Sequence, residues 1–568
     1  MQFPPTLPNP CHRMSHGQSK NFTDQVLCGL FVFCVSLMIA PTGAMGTGGS
    51  GHDLPRVPVS DMVVTAEPWI QLPSTSGPGP GAARLSMLKP VPGALGDIWV
   101  NDLRGQLYRV LGTEIHTYMN LGQEISAFVA GPGLGTGFQS FAIHPEFLEN
   151  GKFYTTHNEA GDSPGSRDFT VPDGSDPMLV GVVTEWIADN PAATTFSGTS
   201  REILRIEFVR QLHGLQEIAF NPHSLPGDDD YGLLYICVGD AGAYEIEKPE
   251  FLQTITSLYG TILRIDPAGN NSTNGQYGIP ATNPWAGESD TAIWREIYAL
   301  GFRNPHRLAF QSRRDDGSRG RIFLTNIGEE NIEDVREINP GNNYGWPLRE
   351  GTFRKIPDDI SRRQEVFPLP QDDEDYGFTY PVAQYARDRD GDGNHRMRAI
   401  GSGIFYEGSR IPYLRDTFVI NDIPGGHLMF FPLSEINEEA PIIPQRMMLR
   451  EGGADVTALT NFPEMYTVNR TTQRRVDMRM GTDNEGEIYL LVKEDGRVYR
   501  LGVDSLHPWK NFPINSQGWA DTGEWLGPVH VGYSPWVWFQ RLGSWAYWPI
   551  LRDPIDESGG SWIFVPTP

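Results

Sequence analysis

Gly232-Leu233-Leu234-Tyr235-Ile236 is the kind of stretch that decides this fold: a glycine for the turn, then aliphatic and aromatic side chains with no polar interruption. The same pattern stands at five other places. They are Asp97-Ile98-Trp99-Val100, with Gly105-Gln106-Leu107-Tyr108-Arg109-Val110 after it, then Gly151-Lys152-Phe153-Tyr154-Thr155 and Gly320-Arg321-Ile322-Phe323-Leu324. The last two are Asp416-Thr417-Phe418-Val419-Ile420 and Gly486-Glu487-Ile488-Tyr489-Leu490. Aromatic and β-branched runs bounded by Gly or Asp read as β-strands. Their spacing, roughly 50 to 95 residues, reads as one repeated unit carrying large insertions. One such strand per unit predicts the inner strand of a propeller blade, and six units predict six blades. An all-β sandwich is the alternative reading of the same pattern.

Working outward, the rest of the chain agrees with an all-β class. Glycine (63) and proline (46) make up almost a fifth of the 568 residues, which suits short strands and turns better than long helices. Helical periodicity is nearly absent from 60 to 505, and 155–202 and 266–296 read as long loops, where function usually concentrates. A net charge of −25 excludes nucleic acid as a partner, because nothing would neutralise phosphates. Val26 to Ala40 is one apolar run with Arg13 and Lys20 before it and Pro41-Thr42-Gly43-Ala44 after it. Fifteen residues are too few to span a bilayer comfortably. The segment reads as a secretory signal over 1–44, with an uncleaved membrane anchor through 26–40 as the other reading. A linker is expected over 45–79. Three of the four cysteines fall at or before this run, so the exported chain keeps Cys237 alone, in an apolar strand, and no internal disulfide.

Beyond Ser505 the composition changes, with eight of the fourteen tryptophans lying between Trp509 and Trp562. Residues 506–568 therefore read as a small aromatic-rich β extension. Its rings serve either as the module's own core or as a platform for glycan or envelope contact.

Several blocks carry a more specific signal: Phe141-Ala142-Ile143-His144-Pro145 with Asn150-Gly151, and His213-Gly214-Leu215-Gln216-Glu217-Ile218-Ala219-Phe220 running on to Val238-Gly239-Asp240-Ala241-Gly242. With them go Tyr259-Gly260-Thr261-Ile262-Leu263-Arg264-Ile265-Asp266, Gly301-Phe302-Arg303-Asn304-Pro305-His306 and Asn343-Tyr344-Gly345-Trp346-Pro347. In these blocks, over roughly residues 80 to 503, the chain resembles the soluble, pyrroloquinoline-quinone-dependent glucose/sorbosone dehydrogenases, which are six-bladed β-propellers.

The resemblance implies an exported, secreted or periplasmic enzyme. It would oxidise a sugar, or a related alcohol, by hydride transfer to pyrroloquinoline quinone (PQQ) with calcium (Ca2+) present, and pass electrons to an external acceptor. His213 is then the general base and Asp240 the group that orients it, since imidazole titrates near neutrality and a carboxylate fixes its tautomer. Arg303, Asn304 and His306 fall at quinone-contacting positions, as do Arg475 and Arg479 before and in the last blade strand. A planar guanidinium is the natural partner of the quinone's carboxylates. The carbonyls of Gly328 and Glu329 fall at the calcium position, with Glu333 and Asp334 at a further calcium site. His144 reads as a turn residue.

The chain also departs from the family pattern. Leu215-Gln216 replaces a Gly-Gly pair, His306 replaces a glutamine, and Pro424 stands where a lysine is expected. Asp388-Arg389-Asp390-Gly391-Asp392-Gly393 begins like a calcium loop but lacks the closing glutamate. A non-catalytic propeller binding glycan or protein is the second functional expectation. A calcium-dependent propeller hydrolase is the third.

Overall fold

Each of the six quoted stretches is a β-strand because its side chains are apolar on both faces, which only a strand with neighbours on every side can satisfy. In a computed structural model they form Asp97–Asp102, Lys152–Ala160, Leu234–Val238, Ile322–Asn326, Thr417–Asp422 and Ile488–Val492. The structure describes residues 46–47 and 53–547, apart from 78–80, 132–135, 315, 390–394, 438, 452–453, 457–465, 468–473, 494–495, 504–507, 510–511, 514–518, 522–526, 534–535 and 542. The segments read as signal or anchor (1–44), the centre of the calcium-like loop (390–394) and the end of the chain lie outside the described residues.

All six strands are the second strand of a four-stranded antiparallel blade, not the innermost one as the sequence suggested. The physical reason is burial. A second strand has a strand on each side and a blade packed on each face, so it is the most apolar of the four. The innermost strands are Leu85–Pro90, Ser140–Ile143, Leu215–Ala219, Pro305–Phe310, Ile400–Phe405 and Met478–Thr482. They touch one another in that cyclic order and close the ring around a channel. One apolar cluster fills each of the six junctions between neighbouring blades. At the junction of the first two blades Trp99, fully buried, meets Tyr118 at 4.6 Å and Phe147 and Phe153 edge-on at 5.2 Å.

The stretch 155–202, read as a loop, instead carries most of the second blade, with strands Leu179–Ala188 and Gly198–Phe208 beside Lys152–Ala160. The stretch 45–79, read as a linker, contains the thirteen-residue strand Val59–Gln71. That strand pairs antiparallel with Arg497–Val503 as the outer strand of the sixth blade, and parallel with Gln445–Glu451 of the fifth. The start and the end of the propeller are thus hydrogen-bonded together, and the fifth and sixth blades share one continuous sheet. A separate four-stranded antiparallel sheet of Trp519–Asp521, Pro528–Tyr533, Trp536–Phe539 and Ser544–Tyr547 forms the aromatic-rich extension. Among the described residues no helix is long and apolar enough to cross a membrane.

Candidate functional site

His213 and Arg303 stand immediately before the innermost strands of the third and fourth blades, so both lie at the same mouth of the channel. His213 adopts φ +50°, uncommon for a residue with a Cβ. Gly239 makes room for it: a Cβ there would lie 2.2 Å from the His213 carbonyl. The Gly-Asp pair therefore has two distinct jobs. Gly239 admits the histidine backbone, and Asp240 receives its ring, with His213 Nδ1 2.7 Å from Asp240 Oδ1.

Asp240 is fully buried and accepts hydrogen bonds on both oxygens. The Gly242 N–H donates to Oδ1 at 2.9 Å, and the Trp346 indole N–H donates to Oδ2 at 3.0 Å. An oxygen that already accepts makes His213 Nδ1 the donor in their bond. The Nδ1–H tautomer follows, and Nε2 is left with its lone pair.

Arg303 sits behind this pair. Its backbone carbonyl accepts from the Asp240 N–H at 2.8 Å, and its guanidinium lies 5.7 Å from the centre of the Trp346 ring. Nη2 donates to Glu245 at 2.7 Å and Nη1 to the Gly328 carbonyl at 2.7 Å. Glu245 was not singled out in the sequence, and no spacing or motif there would have found it. Its carboxylate and the ligand atoms of His213 and Asp240 lie within 4.8 Å of one another. Burial alone would raise its pKa, but the guanidinium charge of Arg303 holds it down at about 2.

His306, the first residue but one of the fourth blade's inner strand, is buried, with Nδ1 3.1 Å from Gln216 Oε1. The two departures from the family pattern thus meet each other. Burial, together with the charges of Arg307, Arg479 and Lys493, drives its pKa well below the ordinary histidine value. His306 is therefore neutral, and its Nε2 is a buried nitrogen without a hydrogen-bond partner. The Asn304 Oδ1 is buried and unpartnered in the same way. Orphaned polar atoms of this kind mark a place built for a further molecule. Arg479, buried at the start of the sixth blade's inner strand, and Lys493 add positive charge toward His306. The side chain of Arg475 lies outside the described residues.

Three of the four groups assigned to calcium, the Gly328 carbonyl and the Glu333 and Asp334 carboxylates, are held by arginines of this chain. The Gly328 carbonyl accepts from Arg303 and also from Arg387 Nη2, each at 2.7 Å. Glu333, fully buried, pairs with Arg387 Nε at 2.7 Å and takes the Ile400 N–H at 3.0 Å. Glu329 pairs with the buried Lys355 at 2.8 Å and with Arg363 at 3.0 Å. Asp334 pairs with Arg336 at 2.7 Å. The loop around them is held from within: Glu350 Oε1 accepts the N–H groups of Glu329, Glu330, Asn331 and Ile332 at 2.8 to 3.1 Å.

A cavity of about 660 Å3 enters the ring from the other mouth, between the ends of the inner strands at Pro90, Phe220, Phe310 and Phe405, and reaches inward to Glu217 and Arg307. It does not include His213 or Arg303. The chemically loaded end of the channel and this cavity are on opposite faces.

Cys237 is a buried, unpaired core thiol whose pKa burial pushes upward, as its apolar strand predicts. His144 closes its strand as a turn residue, with Nδ1 taking the Glu146 N–H at 3.1 Å.

A family model described as glucose / sorbosone dehydrogenase matches residues 96–500. Among curated proteins, the HIPL2 protein of Arabidopsis thaliana is 30% identical over 321 residues, covering 50% of this chain and 42% of that protein. Aldose sugar dehydrogenase YliI of Escherichia coli is 24% identical over 253 residues, 44% of this chain and 57% of that protein. The chain thus spans less than half the length of the plant relative and little over half that of the bacterial one. Among solved structures, the soluble aldose sugar dehydrogenase of Escherichia coli in its apo form aligns at a TM-score of 0.50 and 17% identity, over 77% of this chain and 98% of that one.

Proposed function

Because the chain belongs to the glucose/sorbosone dehydrogenase family, we propose that it oxidises a sugar, at the C1 hydroxyl of an aldose, or a related alcohol, with pyrroloquinoline quinone as its cofactor. One observation carries the reading above the others. His213 is fixed by Asp240 as the Nδ1–H tautomer, which leaves a basic Nε2 at the mouth of the channel. Nε2 takes the proton of the substrate hydroxyl, and Asp240 and Glu245 stabilise the imidazolium that forms. The quinone, when bound, supplies the acceptor for the hydride. Arg303, Asn304, His306, Arg479 and Lys493 are the residues that would hold it, as positive or neutral donors and acceptors around a planar tricarboxylate. His306 Nε2, neutral and buried, offers an acceptor to a hydroxyl of either cofactor or substrate.

The apolar run over 26–40 supports action outside the cytoplasm, with electrons leaving to an external acceptor. The Trp-rich extension is the candidate for glycan or envelope contact.

A second reading, a non-catalytic propeller that binds glycan or protein, draws on one observation: Arg303 is already committed to Glu245 and Gly328. Reconstitution separates the two. Purified protein is incubated with the quinone and assayed by dye reduction over a panel of aldoses and alcohols. Reduction that disappears in His213→Ala is the expected result. A protein that binds no quinone and reduces no dye belongs to the second reading.

A further inference from the structure

At the loop over residues 328–332, where the resemblance implies a metal, this chain brings two arginines onto one carbonyl. A calcium ion needs six to eight oxygens at about 2.3 to 2.6 Å. Most of the oxygens assigned to such an ion are already engaged by cations of this chain. A carbonyl has two lone pairs, and those of Gly328 are taken by Arg303 and Arg387, both at 2.7 Å. The carboxylates of Glu329, Glu333 and Asp334 each face a lysine or arginine of this chain at 3.0 Å or less. A divalent ion on the Gly328 oxygen would lie within a few ångströms of two fixed guanidinium charges, a juxtaposition worth several kcal/mol of repulsion at an effective dielectric near 20.

Arg387 is also firmly placed. Its backbone N–H donates to the Asn331 carbonyl at 2.9 Å, its Nε to Glu333, and its side chain is largely buried. Glu350, by accepting four consecutive N–H groups, gives the loop the rigidity that a bound metal gives elsewhere.

We propose that Arg387 stands in for the family's calcium: it caps the Gly328 carbonyl beside Arg303 and supplies, as a side chain, the second positive charge for a carboxylate-bearing ligand, so that this site works without a metal. The identity of the ligand rests on the quinone reading above; the exclusion of calcium does not.

Two measurements test it. Thermal melts of the full chain in calcium and in EGTA should coincide. A calcium-induced rise that vanishes in Glu333→Gln and in Asp334→Asn would place the ion at this loop and overturn the inference. A rise that survives both substitutions is decided by the dialysis that follows: quinone affinity unchanged by calcium puts the ion away from the Gly328 and Glu329 carbonyls and leaves Arg387 in its role, and affinity raised by calcium overturns the inference. Equilibrium dialysis of pyrroloquinoline quinone should give the same affinity in calcium and EGTA within about twofold, and roughly tenfold weaker binding in Arg387→Met, about the worth of one charge-assisted contact. Arg387→Lys keeps the charge without the fork and serves where the methionine variant does not fold. Quinone binding that requires calcium overturns the inference. A failure to bind quinone in either buffer defeats the proposed function, and the melts still decide this one.

Discussion

A carboxylate that accepts three hydrogen bonds has no freedom to turn, and Asp240 spends that rigidity on a single imidazole. Its two oxygens take His213 Nδ1, the Gly242 N–H and the Trp346 indole N–H. In Asp240→Asn an NH2 group with two N–H donors replaces one oxygen among three donors, so one oxygen's worth of acceptance is lost and the histidine no longer keeps its proton on Nδ1. The expected outcome is a fall in kcat of roughly a thousandfold or more, as when the orienting carboxylate of a triad is replaced. KM should change little, since nothing at Asp240 faces substrate. A variant that lost KM and kept kcat would show that Asp240 only shapes the pocket. Of this arrangement, the His213–Asp240 pair was legible in the sequence through the resemblance. Glu245 was not. A single glutamate in an irregular segment has no periodicity, and its meaning comes only from Arg303, 58 residues away.

At the scale of an element, the loop over residues 328–332 depends on a single carboxylate. Burial would raise the pKa of Glu350, but Lys355 and the loop's own N–H groups hold it at about 2. The sign follows from linkage: a carboxyl depressed in the folded state adds stability above its ordinary value of 4.5, and that contribution is lost as the pH falls toward 2. Glu245, also held at about 2, acts in the same direction. The melting temperature should therefore fall steeply between pH 4.5 and pH 2. Glu350→Gln should melt lower at neutral pH and show a shallower acid slope, and parallel slopes in the two proteins would refute the assignment.

The elements themselves were unequally visible. Second strands such as Thr417–Asp422 announce themselves because every side chain is buried. Inner strands such as Leu215–Ala219 and Ile400–Phe405 contain Gln216, Glu217, Gly401, Ser402 and Gly403 and lose the apolar signature. The cations that face the acidic loop were hidden for a related reason. Acidic residues close in sequence look like ligands until their cations arrive from elsewhere, as Arg387 does from 54 residues beyond Glu333.

For the whole molecule the vulnerable place is the seam. Five blades are each built from strands close in the chain, but the sixth takes its outer strand, Val59–Gln71, from the other end of the propeller, and no local pattern in the sequence could announce that pairing. Loss of this strand would expose the edges of two blades at once, because it also pairs with Gln445–Glu451. Unfolding should therefore begin where closure entropy is largest and covalent continuity least. Gln71 and Arg497 are direct cross-strand partners, both exposed, and Arg497 Nε donates to Gln71 Oε1 at 3.2 Å. Replacing both with cysteine places two thiols across a paired position within the reach of a disulfide. Such a bond would close a loop of more than four hundred residues, for which chain entropy allows about 6 kcal/mol at most. The oxidised variant should melt several degrees higher than the wild type, and reduction should return it to the wild-type value. If the bond forms and the melting temperature does not move, the ring opens first at another blade, and the N-terminal strand is a passenger rather than the closure.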